Sequence, residues 1–545
     1  MVSRSRPGGA RAWGPWGSPA VLGLGCVLVL TVIYLRWTPL VPDLAAQVAR
    51  ANVIRSSGVS SWWTGWYGGL LLPSYSLLVP MWMADFGVRT TGVVSIAAGT
   101  VGFAALARGS LRPRASALVF AGISLANLVD GRVTFTVGLS VGVWALVAVA
   151  NRRTVVSTIL ALITYMCSPL AGLFLGLVLT AVVLTDRERR WQAGLGAGVL
   201  VGAGVLTAVF FPSTGTMPFD LWSGVVAALY VGAIVIVCPQ PVIRAAATLA
   251  LFAFVVFVLV PGAIGDNITR LAWVGLLPLA VASAPLPRWR LLVLTSLLAL
   301  WPVSDLTGQV RSALQPSAHA DFYVPLLNQI RGAEQHAGAV AVGQRVEVID
   351  TSNHWASVYL SSLSLARGWD RQADRASNPI FYGGDQALTA ASYRAWLDQL
   401  AVGWVALPAA PLDYASRPEA RLVAAGLPYL QLAWASPQWR LYRVLDATPL
   451  ATGAQVLAVH AGDVHLASDH AGLVSLRVRW SPYLTVVDEA EQPVPACVIN
   501  NHGWVALYLP AAETVQLTSH FQPASRLRAS DADCVADLGS KRSPS

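Results

Sequence analysis

Hydrophobic residues are concentrated in the first 304 positions of this 545-residue chain. Apolar runs of 14 to 19 residues follow one another there, separated by short segments that carry arginine, proline or glycine. Such runs are typical of transmembrane helices, which need roughly 20 residues to cross a bilayer. The pattern predicts eleven spans, at residues 18–34, 89–107, 115–130, 134–150, 154–167, 169–184, 193–211, 221–238, 245–261, 271–285 and 290–304.

The arginines support this count and orient the spans. A further apolar segment, residues 70–84, contains Pro73 and Pro80 and is too short to span, so a re-entrant or juxtamembrane element is the better interpretation. With eleven spans and a cytoplasmic N-terminus, fourteen arginines flank the inner ends and six the outer ends, in agreement with the positive-inside rule. The inner set is Arg4, Arg6, Arg11, Arg108, Arg112, Arg114, Arg152, Arg153, Arg187, Arg189, Arg190, Arg244, Arg288 and Arg290, and the outer set is Arg36, Arg50, Arg55, Arg89, Arg132 and Arg270.

The first span is followed by a long outer loop, residues 37–88, with a helical pattern near its start. If Asp43 begins a helix, then Asp43, Gln47 and Arg50 share one polar face opposite an apolar one. A helix divided in this way lies in the membrane interface and turns its polar face toward water or a cavity.

The remainder of the chain has the pattern of a globular protein. Residues 305–445 contain two predicted strands, 346–350 and 404–408, with an amphipathic helix at 388–400 between them, which favours an α/β domain. From about residue 446 to 545 the apolar period changes to two, which predicts a β-sandwich-like module. We therefore expect residues 1–304 to form the membrane domain and the two following regions to be extracytoplasmic.

Composition agrees with a membrane protein. Hydrophobic residues make up 55% of the chain and charged residues only 12%, about half the share of an ordinary soluble domain. The net charge of +9 comes from arginine clusters between apolar runs, a distribution that argues against nucleic-acid binding. No Cys/His spacing typical of zinc is apparent, so no metal site is predicted. Cys497 and Cys534 are expected to form a disulfide in an oxidising compartment.

Acidic residues gather at the outer ends of the predicted spans. Two of these positions, LVDGRVTF with Asp130 and Arg132, and GAIGDNITRL with Asn267 and Arg270, place ionisable groups at a span rim. Such groups are costly near a membrane, so a functional site is favoured over simple helix ends. The acids predicted to lie outside are Asp43, Asp85, Asp130, Asp220, Asp266 and Asp305, while Asp186 and Glu188 lie inside.

Aromatic side chains accompany these charges in three segments. They are suited either to hold a sugar or acceptor or to pack the C-terminal region against the membrane half, and packing is the favoured interpretation. No second histidine at metal spacing accompanies the histidine among them. The candidates are Trp66, Tyr67, His354, Trp355, Arg367 and Trp369.

Several segments resemble known membrane proteins. WYGGLLLPSYSLLVP, NLVDGRVTF, GDNITRL, NHWASVYLSSLSLARGWDRQAD and RWSPYLTV are similar to uncharacterised actinobacterial membrane proteins grouped with the GT-C glycosyltransferases. That class includes protein O-mannosyltransferases, aminoarabinose transferases and arabinofuranosyltransferases, and the wider grouping includes YfhO-like proteins. The resemblance implies a polytopic α-helical GT-C-like fold with Asp43 and Asp130 in the positions of the catalytic acids. Many of these transferases have two adjacent acidic residues in the first loop. In this chain Asp43 is followed by Leu44 instead.

This resemblance predicts a glycosyltransferase at the outer face of the cytoplasmic membrane. The donor is a polyprenyl-phosphate sugar, the acceptor an envelope glycan, lipid or protein, and membrane lipids surround the chain. Arg132, Arg270 and Asn267 are assigned to the lipid phosphate, whose oxygens suit a guanidinium fork. The membrane half contains no histidine, so the cofactor there is an oxygen-liganded Mg²⁺, Mn²⁺ or Ca²⁺, or none. A non-catalytic assembly scaffold and a lipid or glycan transporter are the alternatives.

Overall fold

A computed structural model describes residues 17–71, 75–212, 215–337, 342–383, 387–522 and 534. The chain is mostly helical, and its C-terminal region is rich in β-strands. Arg4, Arg6 and Arg11 lie outside the described residues, as does the side chain of Asp305. In the first part of the chain the helices are α1 Pro19–Trp37, α2 Pro42–Ser57, α3 Val79–Phe86, α4 Val88–Leu106, α5 Pro113–Val129, α6 Val133–Ala150, α7 Thr154–Cys167, α8 Pro169–Thr185, α9 Arg190–Phe210, α10 Leu221–Val237, α11 Pro241–Leu259, α12 Leu277–Ser283 and α13 Arg288–Ala313.

Five of the described helices are long and apolar enough to cross a membrane: α1, α4, α6, α9 and α11. Four shorter apolar helices, α5, α7, α8 and α10, lie between them in the chain. Many of their large hydrophobic side chains are exposed, such as Leu28, Leu229 and Ile236. Monomeric soluble proteins rarely expose such continuous apolar surface, so these helices are compatible with a membrane protein. The count of eleven spans stays a prediction.

Proline and serine mark where several of these helices begin. Pro19 and Pro169 occupy the first turns of α1 and α8, where the missing N–H would have no helical partner anyway. Ser18 and Ser168 precede them and accept hydrogen bonds from backbone N–H groups of the first turn. The helix found among the described residues of segment 70–84 is α3, which starts at Val79. It has eight residues and is too short to span a bilayer.

The helical path is broken around Arg270. A 3-10 turn, Gly265–Thr269, precedes Arg270, and a π-helical turn, Ala272–Leu276, follows it before α12. π-Helical turns are rare and occur frequently at functional sites. The predicted span at 271–285 therefore contains an irregular first half.

The predicted boundary at residue 305 falls within α13, which continues to Ala313. Beyond it, a four-stranded sheet has the order β3-β4-β6-β5, with β3 and β4 parallel and the other pairs antiparallel. A parallel pair needs a long crossover, which α17 supplies between β3 and β4. The elements are α14 Val324–Ala337, β3 Arg345–Val348, α15 Ala356–Tyr359, α16 Arg371–Ser377, α17 Ala390–Gln399, β4 Val402–Pro408, α18 Arg417–Ala424, β5 Leu430–Ala435 and β6 Trp439–Val444.

The C-terminal module consists of two four-stranded sheets, ordered β12-β13-β10-β7 and β11-β14-β9-β8. Alternate residues of both sheets, among them Leu476 of β10 and Leu466 of β9, share one buried apolar cluster between them. A disulfide joins Cys497 to Cys534. The strands are β7 Ala451–Thr452, β8 Gln455–Val459, β9 Val464–Ser468, β10 Gly472–Arg479, β11 Leu484–Val487, β12 Cys497–Asn501, β13 Trp504–Leu509 and β14 Glu513–Ser519.

The first loop, residues 37–88, is enclosed between the helices and the C-terminal region. It contains α2 and a two-stranded ladder, β1 Trp62–Trp63 with β2 Leu70–Leu71. The indole N–H of Trp355 donates to the carbonyl of Leu40 at 2.8 Å, and that of Trp369 to the carbonyl of Pro42 at 2.9 Å. Contacts between residues more than 300 positions apart therefore fix the start of α2.

A buried acidic cluster lies inside the α/β region. Arg367 donates to both carboxylate oxygens of Asp374, at 3.1 and 2.7 Å, and to Glu419 at 3.2 Å. Glu347 is fully buried beside them. Burial, and then the charge of Glu419, raise the pKa of Glu347 well above its usual value, and burial raises the pKa of Glu419 to about 7.

These raised pKa values predict that the folded protein loses stability as pH rises. Above its ordinary pKa of 4.5, a glutamic acid in the unfolded chain loses its proton while the folded carboxyl group keeps it, so the free energy of unfolding falls until about pH 7. Glu347→Gln keeps the neutral form and should reduce this fall. Thermal unfolding of the purified protein between pH 4.5 and 7 measures it, with the exposed Glu489→Gln as control; equal pH slopes in the two variants would contradict the assignment.

Candidate functional site

A cavity of about 1640 Å³ lies where the first loop, the helices and the C-terminal region meet. Its walls come from α2, from the starts of α6 and α8, from residues 263–270, and from two C-terminal segments, 369–377 and 479–484. Pockets for drug-sized ligands occupy roughly 300–1,000 Å³, so this cavity has room for a larger ligand. Polar and apolar side chains are both present, as an amphiphilic ligand requires.

The polar face of α2 is part of this lining. Asp43, Gln47 and Arg50 all contact the cavity, while Leu44 and Ala51 on the opposite face are fully buried. The helix begins at Pro42, with Val41 as its N-cap and no side-chain cap hydrogen bond. Asp43 therefore lies in the first turn without serving as the cap, and its carboxylate is available to other groups.

Arg132 connects the two predicted catalytic acids. Its guanidinium lies 2.7 Å from an oxygen of Asp130 and 3.3 Å from an oxygen of Asp43. The Asp43 side chain is 31% exposed and lines the cavity, whereas Asp130 is buried behind it. The structure thus brings all three residues together and presents only one of the two carboxylates to a ligand.

Gly131 makes this arrangement possible. It has a φ of 81°, and a Cβ added there would lie only 2.3 Å from the backbone nitrogen of Leu44. The turn between α5 and α6 therefore approaches α2 as closely as backbones allow, and this brings Asp130 and Arg132 to Asp43. A side chain at residue 131 would separate them.

The cavity is lined by five arginines and two aspartates. Arginine forks suit phosphate and carboxylate groups because they donate two parallel hydrogen bonds. Arg270 and Asn267, which are assigned to the lipid phosphate from the sequence, both line the cavity. Their contact with phosphate stays a prediction. The charged lining residues are Arg50, Arg132, Arg270, Arg371 and Arg479 with Asp43 and Asp370.

Arg50 is the buried member of this set. One of its terminal nitrogens lies 2.6 Å from Asp370, and its guanidinium lies 3.8 Å from the ring centre of Tyr75. Its Nε and its other terminal nitrogen, like the amide oxygen of Gln47, are buried without a hydrogen-bond partner among the described residues. Unsatisfied buried donors are costly, so Arg50 depends on Asp370 to compensate its buried charge.

Arg479 enters the cavity from the β-sandwich. It donates to the carbonyls of Tyr67, at 2.8 Å, and Ser377, at 3.0 Å, and burial lowers its pKa. Burial, and then the charge of Arg479, lower the pKa of the neighbouring Arg345 to about 9. Positive charge is therefore disfavoured in this corner, and an anion would stabilise it.

The structure does not bring most of the predicted aromatic contacts to the cavity. Trp66 and Tyr67 are fully buried, and Trp66 packs so closely on Gly368 that a Cβ there would lie 2.1 Å away. His354 and Trp355 are also buried, and Arg367 belongs to the acidic cluster described above. The contacts of Trp66, Tyr67 and Trp355 connect the first loop to the C-terminal region, whereas those of His354 and Arg367 lie within that region.

Trp369 is the aromatic candidate that does line the cavity. Its ring stacks on His354 with 3.4 Å between centroids and 10° between planes. Nδ1 of His354 in turn lies 2.5 Å from a carboxylate oxygen of Asp350, and this contact fixes the orientation of the imidazole ring. A flat aromatic wall fixed in this way is suited to the face of a sugar ring.

The carboxylates of Asp43 and Asp130 are arranged to bind a guanidinium rather than a metal ion. Mg²⁺, Mn²⁺ or Ca²⁺ would need the carboxylates of Asp43 and Asp130, but Arg132 already bridges these two groups. Positive charge at this point of the cavity is supplied by the chain itself.

Two of the cavity arginines are not identified by sequence analysis. Arg479 and Arg477 share one face of β10 in the alternating pattern, yet Arg477 is exposed and Arg479 lines the cavity. Arg371 lies two residues after Trp369 in the sequence, and its hydrogen bonds to Asp413, at 2.9 and 2.7 Å, and to Tyr382, at 3.1 Å, fix its direction. Neither distinction leaves a local signal in the sequence.

No family model, curated protein or solved structure matches this chain. The interpretation of the cavity therefore depends on its own geometry and chemistry.

The ion pair between Arg50 and Asp370 predicts a large effect of a small substitution. Asp370→Asn keeps the cap of α16, where the side chain accepts from the N–H of Ala373, but leaves Arg50 buried without its counter-charge. We expect the free energy of unfolding to fall by about 3 kcal/mol. Asp220→Asn is the control, because Asp220 caps α10 in the same way at an exposed position. Equal melting temperatures of the two purified variants would contradict this prediction.

Proposed function

We propose that this chain is a glycosyltransferase that uses a polyprenyl-phosphate sugar at the outer face of the cytoplasmic membrane. The observation that carries the proposal is the shared cavity, where one partly exposed carboxylate, Asp43, faces a group of arginines beside apolar helices. A lipid-linked sugar phosphate has the matching parts: an apolar chain, an anionic phosphate and a polar sugar.

The proposal includes an eleven-span GT-C-like topology with a cytoplasmic N-terminus and an extracytoplasmic C-terminal region. The distribution of arginines along the sequence supports this orientation. It is also supported by the cavity itself, because Asp43 and Arg270, both predicted at outer ends of spans, line it together with residues of the C-terminal region. An acceptor from the cell envelope would reach the cavity from that side.

The proposed reaction is a single displacement at the anomeric carbon. The hydroxyl oxygen of the acceptor forms the new bond to the anomeric carbon, and Asp43 accepts the proton of that hydroxyl. The bond between the anomeric carbon and the phosphate oxygen breaks, and the lipid phosphate leaves with the electron pair. Arg50 and Arg270 stabilise the phosphate charge, while Arg132, held by Asp130, positions Asp43.

Asp43→Asn tests this assignment directly. The amide cannot take a proton, and Arg132 keeps its partner Asp130, so we expect a folded protein in which transfer from a polyprenyl-phosphate sugar falls by at least about 10²-fold. Arg270→Lys should raise KM for the lipid donor more than it lowers kcat, because a point charge replaces a fork.

The control for this experiment is Asp85→Asn, which changes an exposed acid of the same loop away from the cavity. It should transfer at the wild-type rate. Wild-type transfer by Asp43→Asn would remove Asp43 as the base and leave Asp130 as the next candidate. Donor binding without transfer by the wild-type protein would favour a carrier or scaffold.

A further inference from the structure

The tip of the β8–β9 hairpin gathers two histidines and an aspartate outside the cavity. Nδ1 of His460 and Nε2 of His465 each lie 2.8 Å from the same oxygen of Asp463. The three donor atoms lie within 4.8 Å of one another, and the two imidazole rings are 5.0 Å apart and nearly perpendicular. In the sequence these residues form the pattern His-x₂-Asp-x-His, which contains no cysteine and is not one of the Cys/His spacings typical of zinc.

The hairpin places these side chains on one surface. The backbone N–H of His460 donates to the carbonyl of Asp463 at 3.0 Å and closes the turn. Val464 and Leu466 of β9 point into the core of the sandwich, so Asp463 and His465, which alternate with them, lie on the outer face. Strand β9 thus supports His465, and Asp463 directly precedes this strand.

We propose that His460, Asp463 and His465 form a zinc site. Imidazole nitrogen and carboxylate oxygen are ligands that Zn²⁺ prefers, at about 2.0–2.2 Å. Two imidazoles turned toward one carboxylate need only small side-chain movements to place an ion between them. His460 is 58% exposed on its side chain, so water completes the tetrahedral coordination on the solvent side.

The position of the turn indicates what the ion does. The N–H of Thr64 donates to the carbonyl of Ala461 at 2.9 Å, and its hydroxyl donates to the carbonyl of His460 at 2.6 Å. A Cβ on Gly462 would also lie 4.0 Å from Cβ of Ser57 at the end of α2. The turn therefore contacts the first loop at the end of α2 and directly after β1, and zinc would fix the conformation of this contact.

This role is structural and does not depend on the proposed transfer reaction. Trp62, Gly69 and Leu70 belong to the same loop and line the cavity, so the ion would order part of the cavity wall from its outer side. The competing explanation is a cluster held by hydrogen bonds alone, with both histidines donating to the same carboxylate oxygen. That explanation predicts no affinity for zinc.

Zinc binding to the purified full-length protein without a histidine tag separates the two explanations. After treatment with a chelator, the protein is titrated with ZnCl₂ against a chromophoric zinc chelator, and its melting temperature is followed. We expect one equivalent to bind and the melting temperature to rise with zinc concentration. His465→Gln should weaken binding by at least about 10-fold and abolish the rise.

His470→Gln is the matched control, since it changes a histidine of the neighbouring turn outside the cluster. It should bind zinc as the wild type does. Hydrogen exchange adds a structural readout, because zinc should increase protection of residues 58–66 in the wild type and not in His465→Gln. Absence of saturable binding, or equal binding by wild type and His465→Gln, would leave a hydrogen-bonded cluster only and overturn the proposal.

Discussion

The buried ion pair between Arg50 and Asp370 is the interaction on which the arrangement of this chain depends most. Arg50 belongs to the first loop and Asp370 to the C-terminal region, so their 2.6 Å contact joins parts 320 residues apart. A buried charge without a partner is costly, which makes the docking of the two parts specific as well as favourable. The same contact places the polar face of α2 in the cavity wall.

The cavity itself concentrates positive charge in a partly buried place. Arg371 and Arg132 are paired with aspartates, but Arg50 keeps unsatisfied donors and Arg479 has a pKa lowered by burial. Such an arrangement is less favourable empty than occupied by an anion. Because the apolar helices lie beside it, the proposed lipid-linked sugar phosphate would place an anion next to the arginines and an apolar chain next to the helices.

The sequence predicts the parts of this structure that depend on local pattern. The eleven apolar runs overlap α1 and the helices from α4 to α13, and the spacing of Asp43, Gln47 and Arg50 predicts the face of α2 that lines the cavity. Rim positions likewise identify Asp130, Arg132 and Arg270, since ionisable residues stand out among apolar ones.

The remaining features depend on contacts between distant segments, which leave no local signal. Trp66 and Trp369 each follow a glycine in the sequence, yet packing on Gly368 buries the first and the second lines the cavity. The choice between Arg477 and Arg479 depends in the same way on where β10 meets the first loop. The histidines of the β8–β9 turn become a cluster only when the hairpin closes.

The central claim is that the cavity binds a lipid-linked sugar phosphate. Mass spectrometry of the lipids that co-purify with Asp43→Asn tests it most directly, since this variant should bind the donor without consuming it. The account predicts a polyprenyl-phosphate sugar retained by the variant and depleted when Arg50 is also changed to Gln. Recovery of bulk phospholipids alone from both proteins would contradict it.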